Sequence, residues 1–189
     1  MKILIVSSSH DPNSRSEQLA RLCGPLLDEA GVEHALLRLK DYPLPPYISG
    51  DLALVPGYSE IHQLVLEADA LILASPVYNW GCCAELKKFI EYFGSTDASH
   101  RGALFDKVVT FLNAAGLPHS YMAFTGTATS LMLDFKCIIN PYNVYVHNRH
   151  WVDGALLPEA QARLKKSLEV TVELAQLLSK RTYSSGWEI

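Results

Sequence analysis

The sequence predicts an α/β fold in which a parallel β-sheet is doubly wound, with helices covering both of its faces. Short, nearly continuous apolar runs at residues 3–7, 69–74 and 107–112 predict buried strands, because a strand covered on both sides has no polar face. Residues 16–30 carry apolar side chains at helical spacing, which predicts the first helix. Gly24-Pro25 inside that helix predicts a kink or a break.

The remaining segments continue the alternation of strand and helix. Residues 33–39 predict a second strand near an edge of the sheet, and residues 143–147 predict the fifth strand. Further helices are expected at residues 58–68, 83–93 and 158–180. This alternation is typical of a parallel sheet. Since such sheets bind ligands beyond the carboxyl ends of their strands, the loops after strands one, three and four are the expected place for chemistry.

The composition favours one domain over residues 1–189 and a small-molecule partner. Apolar residues make up 49% of the 189-residue chain, which is ample for one continuous core. The 16 Lys and Arg residues against 20 Asp and Glu give a net charge of −4, without long blocks of either sign. This balance argues against a nucleic-acid partner and against an anionic membrane surface.

The cysteines and the N-terminus indicate the compartment. The apolar run at residues 3–6 is too short for the core of a signal peptide, and no stretch approaches the length of a membrane span. The cysteines at positions 23, 82, 83 and 137 form neither a CxxC pair nor a zinc-binding spacing. Free thiols in a reducing compartment are the simplest interpretation, so we expect a cytoplasmic protein.

The loop after the first strand, residues 7–16, is rich in hydroxyl side chains around one guanidinium, that of Arg15. A helix start offers free backbone N–H groups and the positive end of the helix dipole, and Ser and Arg add donors that suit a phosphate monoester. Neither a P-loop motif nor GxGxxG is present, which disfavours a nucleoside triphosphate or a dinucleotide here. In the alternative, Asn13 or Ser14 simply caps the helix and Arg15 is a solvated charge. The loop length favours the phosphate site, because such loops usually have about 2–6 residues.

The loop after the third strand, residues 75–81, suits a flat and amphipathic ring system. Such a ring needs an apolar or aromatic wall and backbone N–H and C=O groups for its polar edge. The turn Pro76-Val77-Tyr78-Asn79 offers both. In the alternative, Tyr78 and Trp80 are core aromatics that serve only packing.

Three blocks of residues lie in the order and spacing of a known family. They are Ser-Arg-Ser at residues 14–16, Ser-Pro-Val-Tyr-Asn at 75–79 with Leu-Lys at 86–87, and Asn-Ala-Ala-Gly at 113–116. In these blocks the chain resembles the NADPH-dependent FMN reductase family. The Pro-rich residues 39–47 also look like the segment that follows the family's second strand. The resemblance spans roughly the whole chain, and the Ser-Pro-x-Tyr-Asn block is its sharpest part.

The resemblance implies both a fold and a set of cofactor contacts. The fold is a flavodoxin-like three-layer sandwich with a five-stranded parallel sheet in the order 2-1-3-4-5. The residues implied to hold the FMN phosphate are Ser9, Ser14, Arg15, Ser16 and Gln18. Those implied to line the isoalloxazine and ribityl chain are Pro76, Val77, Tyr78 and Asn79. Those implied to approach the pyrimidine edge are Asn113, Ala114, Ala115 and Gly116.

The chain departs from the family pattern at four places. Ser8 stands where the family usually has Gly, and His-Asp at residues 10–11 stands where an Arg is frequent. The phosphate is therefore expected to rely on Arg15 alone. Cys-Ala at residues 83–84 replaces a Pro-Gly, and residues 117–119 replace the second Gly after the fourth strand.

The implied function is that of an FMN-dependent NAD(P)H oxidoreductase. Hydride passes from NADPH or NADH to the flavin, and an acceptor takes the electrons next: free flavin, a quinone, an azo compound or a metal oxyanion. The flavin performs this chemistry, so no catalytic side chain is expected.

Two hypotheses from other classes compete with this function. A flavodoxin-type carrier would bind FMN and pass single electrons without reductase activity, but such carriers tend to be strongly acidic, and a net charge of −4 argues against one. A scaffold protein that lost its cofactor would stay colourless after FMN is added. Steady NADPH oxidation by the purified chain separates the reductase from the carrier.

Two further segments are candidate substrate contacts. His119 and Tyr121, after the fourth strand, are placed to reach the flavin face as substrate contacts or proton donors, or else to serve the following helix start. Residues 97–102, with His100 and Arg101, are a candidate contact for the extra phosphate of NADPH, against the alternative of a solvated loop.

Cysteine and histidine pairs offer weaker signals. Cys82-Cys83 at a helix N-terminus suggests a lowered thiol pKa and redox activity, but packing is the favoured interpretation. His147 and His150 lack a third ligand at a fitting spacing, so no metal site is expected.

The third helix suggests a homodimer or homotetramer. It carries more apolar side chains than one buried face requires, which favours pairing of two copies. These side chains are Leu86, Phe89, Ile90, Tyr92 and Phe93.

Overall fold

The computed structural model describes residues 1–94 and 102–186. Residues 97–101 of the segment suggested as an NADPH contact, including His100 and Arg101, lie outside the described residues. The described helices are α1 (Arg15–Glu29), α2 (Tyr58–Glu67), α3 (Ala84–Gly94), α4 (Thr125–Phe135) and α5 (Pro158–Leu178). The described strands are β1 (Lys2–Ser7), β2 (Glu33–Arg38), β3 (Ala70–Tyr78), β4 (Gly81–Cys82), β5 (Val108–Ala115), β6 (Ile138–Ile139), β7 (Val144–His147), β8 (Trp151–Val152) and β9 (Ala155–Leu156).

The central sheet has the predicted parallel order. Its path runs β2-β1-β3-β5-β6, and β7 also pairs with β5 in parallel. With β6 and β7 taken together as the fifth strand, this is the order 2-1-3-4-5, and β2 lies at an edge as expected. The strand count differs, because the fifth strand is split and β4 adds a short antiparallel strand beside β3.

The split of the fifth strand has a local cause. Pro141 lies between β6 and β7, and proline has no N–H to donate to a sheet ladder. The Asn143 side chain takes over part of the pairing, since its Oδ1 accepts the Phe111 N–H at 3.2 Å. The strand resumes at Val144 opposite Leu112.

Helices cover both faces of the sheet, as the apolar runs predict. Alternate residues of β1 face opposite ways: Leu4 and Val6 belong to the core under α2, α3 and α4, whereas Ile3 and Ile5 belong to the core under α1 and α5. This arrangement leaves the carboxyl ends of β1, β3 and β5 side by side at one edge of the sandwich. Across residues 1–94 and 102–186, no helix has both the length and the apolar character that crossing a membrane requires.

The structure corrects the predictions for two helices. Of the kink or break expected at Gly24-Pro25, the break does not occur, because α1 continues to Glu29 and buries Cys23 and Leu27 on either side of Pro25. The apolar side chains of α3 are not spare surface: each is at most 5% exposed within a single chain. The core between α3 and the sheet absorbs them, so they give no support for a dimer. They are Leu86, Phe89, Ile90, Tyr92 and Phe93.

The helix α4 and the hairpin β8–β9 were not predicted. Only Ala128, Leu131 and Phe135 are buried in α4, so its helical periodicity is weak. The hairpin β8–β9 turns at Asp153-Gly154, where both residues have positive φ. The pair Asp-Gly is a known hairpin signal and marks this turn in the sequence.

A buried polar network joins β5 to α5. The Asn140 Nδ2 donates to Thr110 Oγ1 at 3.1 Å and to Thr171 Oγ1 at 3.0 Å, and the two threonine hydroxyls are 2.6 Å apart. Asn140 Nδ2 also donates to the Ser167 carbonyl at 3.0 Å, and Asn140 Oδ1 accepts the Tyr142 N–H at 2.8 Å. At this point buried hydrogen bonds take the place of apolar packing. The N–H groups of the Asn140 side chain have these buried groups as their hydrogen-bond partners.

We expect Asn140→Ala to lower the free energy of unfolding by about 2–4 kcal/mol, because several buried hydrogen bonds are lost together. Urea denaturation followed by circular dichroism measures this change. The control Thr129→Ala changes an exposed residue of α4 and is expected to shift stability by less than about 0.5 kcal/mol. Equal stability of Asn140→Ala and the wild type would show that the network contributes nothing to folding.

Candidate functional site

A cleft of about 160 Å³ opens beyond the carboxyl ends of β1, β3 and β5. We call it the strand-end cleft. Three loops contribute to it, and Asn148 closes one side. Its lining consists of Ser9, Asp11, Asn13, Ser14, Arg15, Ser16, Pro76, Val77, Tyr78, Ala114, Ala115, Gly116 and Asn148.

The strand-end cleft brings together most of the residues implied by the family resemblance. Gln18, Asn79 and Asn113 are not in its lining. Asp11, Asn13 and Asn148 are in the lining but were not among the implied residues. The first two are polar members of the same Ser-rich loop and were open to prediction, whereas Asn148 comes from the end of β7 and carries no local signal.

Ser14 both caps α1 and lines the strand-end cleft. Its Oγ accepts the Glu17 N–H at 3.1 Å and lies 2.9 Å from the Ser16 Oγ. The capping alternative is therefore correct for Ser14, and it is compatible with the phosphate prediction. The same geometry leaves the hydroxyls of both serines beside the first N–H groups of the helix, which is where an anion is stabilised.

Arg15 is held by two contacts and is not a freely solvated charge. Its Nη1 donates to Gln18 Oε1 at 2.8 Å, and its guanidinium carbon lies 4.7 Å from the centroid of the Trp151 ring. Within residues 1–94 and 102–186, no carboxylate forms an ion pair with it. Gln18 therefore contacts Arg15 and does not itself line the cleft.

The neighbouring cations of α1 and β2 are neutralised by a different carboxylate. Glu17 is 5% exposed and pairs with Lys40 at 2.5 Å and with Arg21 at 2.7 Å. Arg38 approaches the same carboxylate at 3.8 Å and pairs with Asp41 at 2.6 Å. Arg15 stands outside this cluster and keeps its charge available to the strand-end cleft.

His10 does not replace the Arg that the family often has near this position. Its Nε2 lies 3.4 Å from Glu85 Oε2, so its side chain is directed to α3. Asp11 is exposed and its Oδ1 accepts the Asn13 N–H at 2.7 Å. The structure therefore leaves Arg15 as the cation in the described lining of the strand-end cleft.

The second loop forms a hairpin instead of the predicted turn at residues 76–79. The strand β3 continues through Tyr78 and pairs with β4, and the turn lies at Asn79-Trp80. Both turn residues have positive φ, 51° and 64°, a conformation that suits a two-residue hairpin but is strained for Trp. Tyr78 and Trp80 are 56% and 66% exposed, so the interpretation of these two as core aromatics is wrong.

Pro76 and Val77 form an apolar wall of the strand-end cleft, and Pro76 lies beside Ala114 of the neighbouring strand. Ser75 fixes the position of this wall, because its Oγ accepts the Cys83 N–H at 3.1 Å and donates to the Pro76 carbonyl at 2.9 Å. One hydroxyl thereby ties the end of β3 to the start of α3. The wall is consequently rigid on its protein side and open toward solvent at Tyr78.

The cysteine pair serves packing in this structure. Cys83 is buried, and its Sγ lies 3.1 Å from the Ser8 Oγ. Burial raises the pKa of the Cys82 thiol, which is opposite to the lowered pKa that a redox role suggested. All four cysteines are free thiols.

The Asn113 side chain lies beneath the strand-end cleft. It is 1% exposed, and its Nδ2 contacts the Cys82 Sγ at 3.7 Å and the Ser75 carbonyl at 3.4 Å. Its Oδ1 has no hydrogen-bond partner among the described residues. Asn113 therefore supports the hairpin from below, while the backbone of the next three residues forms the floor.

The loop after β5 is fastened by Tyr145. The Tyr145 hydroxyl contacts the Leu117 carbonyl at 2.5 Å and the Ser120 Oγ at 3.1 Å. His119 and Tyr121 on this loop are exposed and are not in the lining of the strand-end cleft. Neither side chain therefore lines the cleft as the structure has it.

The rings of His147 and His150 pack against each other at an angle of 46° at the end of β7. Their ring centroids are 4.1 Å apart, and the His147 N–H donates to His150 Nδ1 at 3.1 Å. Burial lowers the pKa of His147, and the charges of His150 and Arg149 lower it further. Within the described part of the chain, no three His, Cys, Asp or Glu side chains are grouped to hold a metal ion.

The donor set of the strand-end cleft fits a phosphorylated flat ring. Arg15 offers a guanidinium that has no carboxylate partner among the described residues, next to the hydroxyls of Ser14 and Ser16 at a helix start. Pro76 and Ala114 offer apolar walls for a planar group. These features fit the two ends of FMN, the phosphate and the isoalloxazine, in the order that the strands impose.

Comparison with known proteins identifies a family. The sequence profile of the NADPH-dependent FMN reductase family matches residues 1–150. An iron-sulfur flavoprotein of Methanocaldococcus jannaschii is 32% identical over 98 residues, which cover 48% of this chain and 51% of that protein. The chain thus spans about half the length of this curated relative.

Solved structures share the fold at low sequence identity. The apo form of an NADH:FMN oxidoreductase, EmoB, aligns with a TM-score of 0.75 and 19% identity over 96% of this chain and 91% of that one. FerB, an NAD(P)H:(acceptor) oxidoreductase of Paracoccus denitrificans, aligns with a TM-score of 0.76 and 18% identity, covering 93% and 97%. Both confirm the flavodoxin-like fold.

The pairing of Glu17 gives the folding stability a defined pH dependence. Burial by itself raises the pKa of the Glu17 carboxyl, but hydrogen bonds from Lys40 and Arg21 outweigh it and hold the pKa below its ordinary 4.5. A carboxyl whose pKa is lower in the folded state stabilises the fold above its unfolded pKa and loses that contribution as the pH falls through its folded pKa.

We therefore expect the wild type to lose stability more steeply than Glu17→Gln below about pH 4.5. Urea unfolding at a series of pH values from neutral to acid measures both proteins. Glu169→Gln, which changes an exposed carboxylate 3.8 Å from Lys166, is expected to follow the wild type. Parallel pH profiles for the wild type and Glu17→Gln would contradict the assignment.

Proposed function

Because this chain belongs to the NADPH-dependent FMN reductase family, we propose that it binds FMN in the strand-end cleft and oxidises NADPH or NADH with it. The observation that carries the proposal is the Arg15 guanidinium, held beside a helix start without a carboxylate partner among the described residues. A guanidinium at a helix start, without a carboxylate partner, is stabilised most by an anionic ligand.

The first loop would hold the phosphate end of FMN. The first N–H groups of α1 and the hydroxyls of Ser9, Ser14 and Ser16 surround the position next to Arg15. Charge-assisted hydrogen bonds from Arg to phosphate are about twice as strong as neutral ones. The lining supplies enough donors for a dianionic monoester without a metal ion.

The residues that would hold the ring end of FMN are Pro76, Val77 and Tyr78 at the end of β3 and Ala114 to Gly116 beside them at the end of β5. The backbone of the latter segment offers N–H and C=O groups to the pyrimidine edge. In that position one face of the ring would point toward the protein and the other toward solvent. Tyr78 lines the cleft and would border the solvent face, where a nicotinamide or an acceptor would stack, and the exposed Trp80 follows it on the hairpin.

The protein binds and orients, and the cofactor supplies the redox chemistry. When bound, FMN would supply the hydride and electron transfer between a reduced nicotinamide and an acceptor, while Arg15, Ser14 and Ser16 would hold its phosphate. The residues of this chain fix the phosphate, set the plane of the ring and exclude water from its inner face. Free flavin, a quinone, an azo compound and a metal oxyanion are the acceptor classes that we propose, since each fits the same open face.

FMN titration of the purified chain tests the binding step. We expect Arg15→Ala to weaken FMN binding by about 1.5–3 kcal/mol, because a charge-assisted hydrogen bond to phosphate is lost. Quenching of flavin fluorescence measures the Kd. Arg21→Ala removes a guanidinium that pairs with Glu17 on the same helix, and its FMN affinity is expected to stay near that of the wild type.

Anaerobic addition of NADPH to the FMN-loaded protein tests the redox step. We expect the visible flavin absorbance to bleach and steady NADPH oxidation to follow when an acceptor is present. A protein that binds FMN but never oxidises NADPH or NADH would be a one-electron carrier. A protein that stays colourless after FMN is added would refute the whole proposal.

We also propose that two copies of the chain associate through a patch beside the strand-end cleft. The hairpin β3–β4 and the loop after β5 adjoin, since the Cys82 Sγ lies 3.9 Å from the Ala123 carbonyl. Exposed apolar side chains on these two segments supply the apolar contact area for a second copy, which the buried side chains of α3 do not. They are Tyr78, Trp80, Leu117, Tyr121 and Met122.

A cytoplasmic location is likewise a proposal, supported by four free thiols.

We expect the double variant Trp80→Asn with Met122→Glu to lower the solution mass from that of a dimer or tetramer toward that of a monomer. Asn adopts the positive φ of position 80 more readily than Trp, so the hairpin is retained. Light scattering at low micromolar concentration measures the mass. Ile48→Asn removes another exposed apolar side chain and serves as control. An unchanged mass in the double variant would exclude this patch.

A further inference from the structure

The Trp151 ring is the one aromatic face that the structure places against Arg15, among the described residues. It comes from β8, in a hairpin between β7 and α5 that is remote in sequence from the phosphate loop. Neither the family resemblance nor the three loop motifs point to it. Its contact with Arg15 therefore adds a part to the site that the proposed function does not contain.

Three features fix the Trp151 ring in place. Trp151 pairs with Leu156 across the hairpin, and the Leu157 N–H donates to the His150 carbonyl at 2.8 Å. The ring is half-buried and packs on the apolar core under α1 and α5. A side chain held by both a strand and a core presents a stable surface to whatever lies on it.

The contact orders the guanidinium without neutralising it. A carboxylate partner would occupy the N–H donors of Arg15, as Glu17 does for Arg21. An aromatic face attracts the cation through the ring quadrupole and leaves its edge donors free. Gln18 takes one N–H of Nη1, and the remaining donors have no partner in the described residues. Arg15 thus stays charged, ordered and open to an anion.

We propose that Trp151 is a positioning residue that holds the Arg15 guanidinium ready for the phosphate of FMN. The inference rests on the proposed function. An unrestrained arginine loses side-chain freedom when it binds an anion, and a pre-ordered one loses less. Trp151 acts through Arg15 and does not touch the flavin ring, so its effect is confined to the phosphate end of the ligand.

Riboflavin separates the two ends, because it carries the same ring without the phosphate. We expect Trp151→Leu to raise the Kd for FMN by about 3- to 30-fold, the range of a cation–π contact, and to leave the Kd for riboflavin unchanged. In an Arg15→Ala background, Trp151→Leu is expected to have no further effect on FMN, since the group it positions is gone. Fluorescence quenching measures each Kd.

Trp151→Phe is the conservative variant. The Trp151 Nε1 makes no hydrogen bond in the described part of the chain, so Phe keeps an aromatic face and loses no bond. We expect it to restore most of the FMN affinity that Leu loses. Val152→Ala, at an exposed position of the same hairpin, is expected to match the wild type.

The outcomes distinguish this inference from the proposed function. Equal weakening of FMN and riboflavin by Trp151→Leu would show a general loosening of the cleft and overturn the positioning role. Unchanged binding of both ligands would overturn it as well. If the wild type bound neither ligand, the proposed function itself would fail, whatever Trp151 does. Additive losses from Arg15→Ala and Trp151→Leu would show that the two residues act independently.

Discussion

The strand-end cleft depends on the positive charge of Arg15, which has no carboxylate partner among the described residues. Arg15 follows the capping residue Ser14 at the start of α1, where the helix dipole and the free N–H groups also favour an anion. A guanidinium in such a place is stabilised by water, by a carboxylate or by a ligand. The structure gives it an aromatic face and an amide oxygen, and neither removes its charge. This arrangement leaves a positive charge at a helix start beside the apolar side chains of Pro76 and Val77.

The surrounding ion pairs show why no carboxylate of the described residues neutralises Arg15. Glu17, two residues along the same helix and outside the cleft lining, forms ion pairs with Arg21 and Lys40 and lies 3.8 Å from Arg38. The Glu17 carboxylate and its cations compensate one another's charge, and Arg15 takes no part in these ion pairs. The parallel sheet supplies the rest, because it brings the ends of β1, β3 and β5 to one edge.

The sequence was sufficient for the fold and for most of the cleft, because both depend on local patterns. Apolar runs mark β1, β3 and β5, and their following loops carry the lining residues. What it could not supply depends on contacts between distant segments. Trp151 reaches Arg15 only through the packing of a hairpin, Asn113 faces inward because of strand alternation, and α3 buries every apolar side chain that suggested a dimer. The prediction placed the turn at residues 76–79 instead of at Asn79-Trp80, because Trp rarely adopts the positive φ that position 80 has in the structure.

A crystal structure of the chain grown with FMN tests the central claim most directly. The account predicts phosphate oxygens within hydrogen-bond distance, about 3 Å, of the Arg15 guanidinium and of the Ser14 and Ser16 hydroxyls, with the isoalloxazine against Pro76 and Val77. A flavin bound elsewhere, or a phosphate turned away from Arg15 toward solvent, would contradict it.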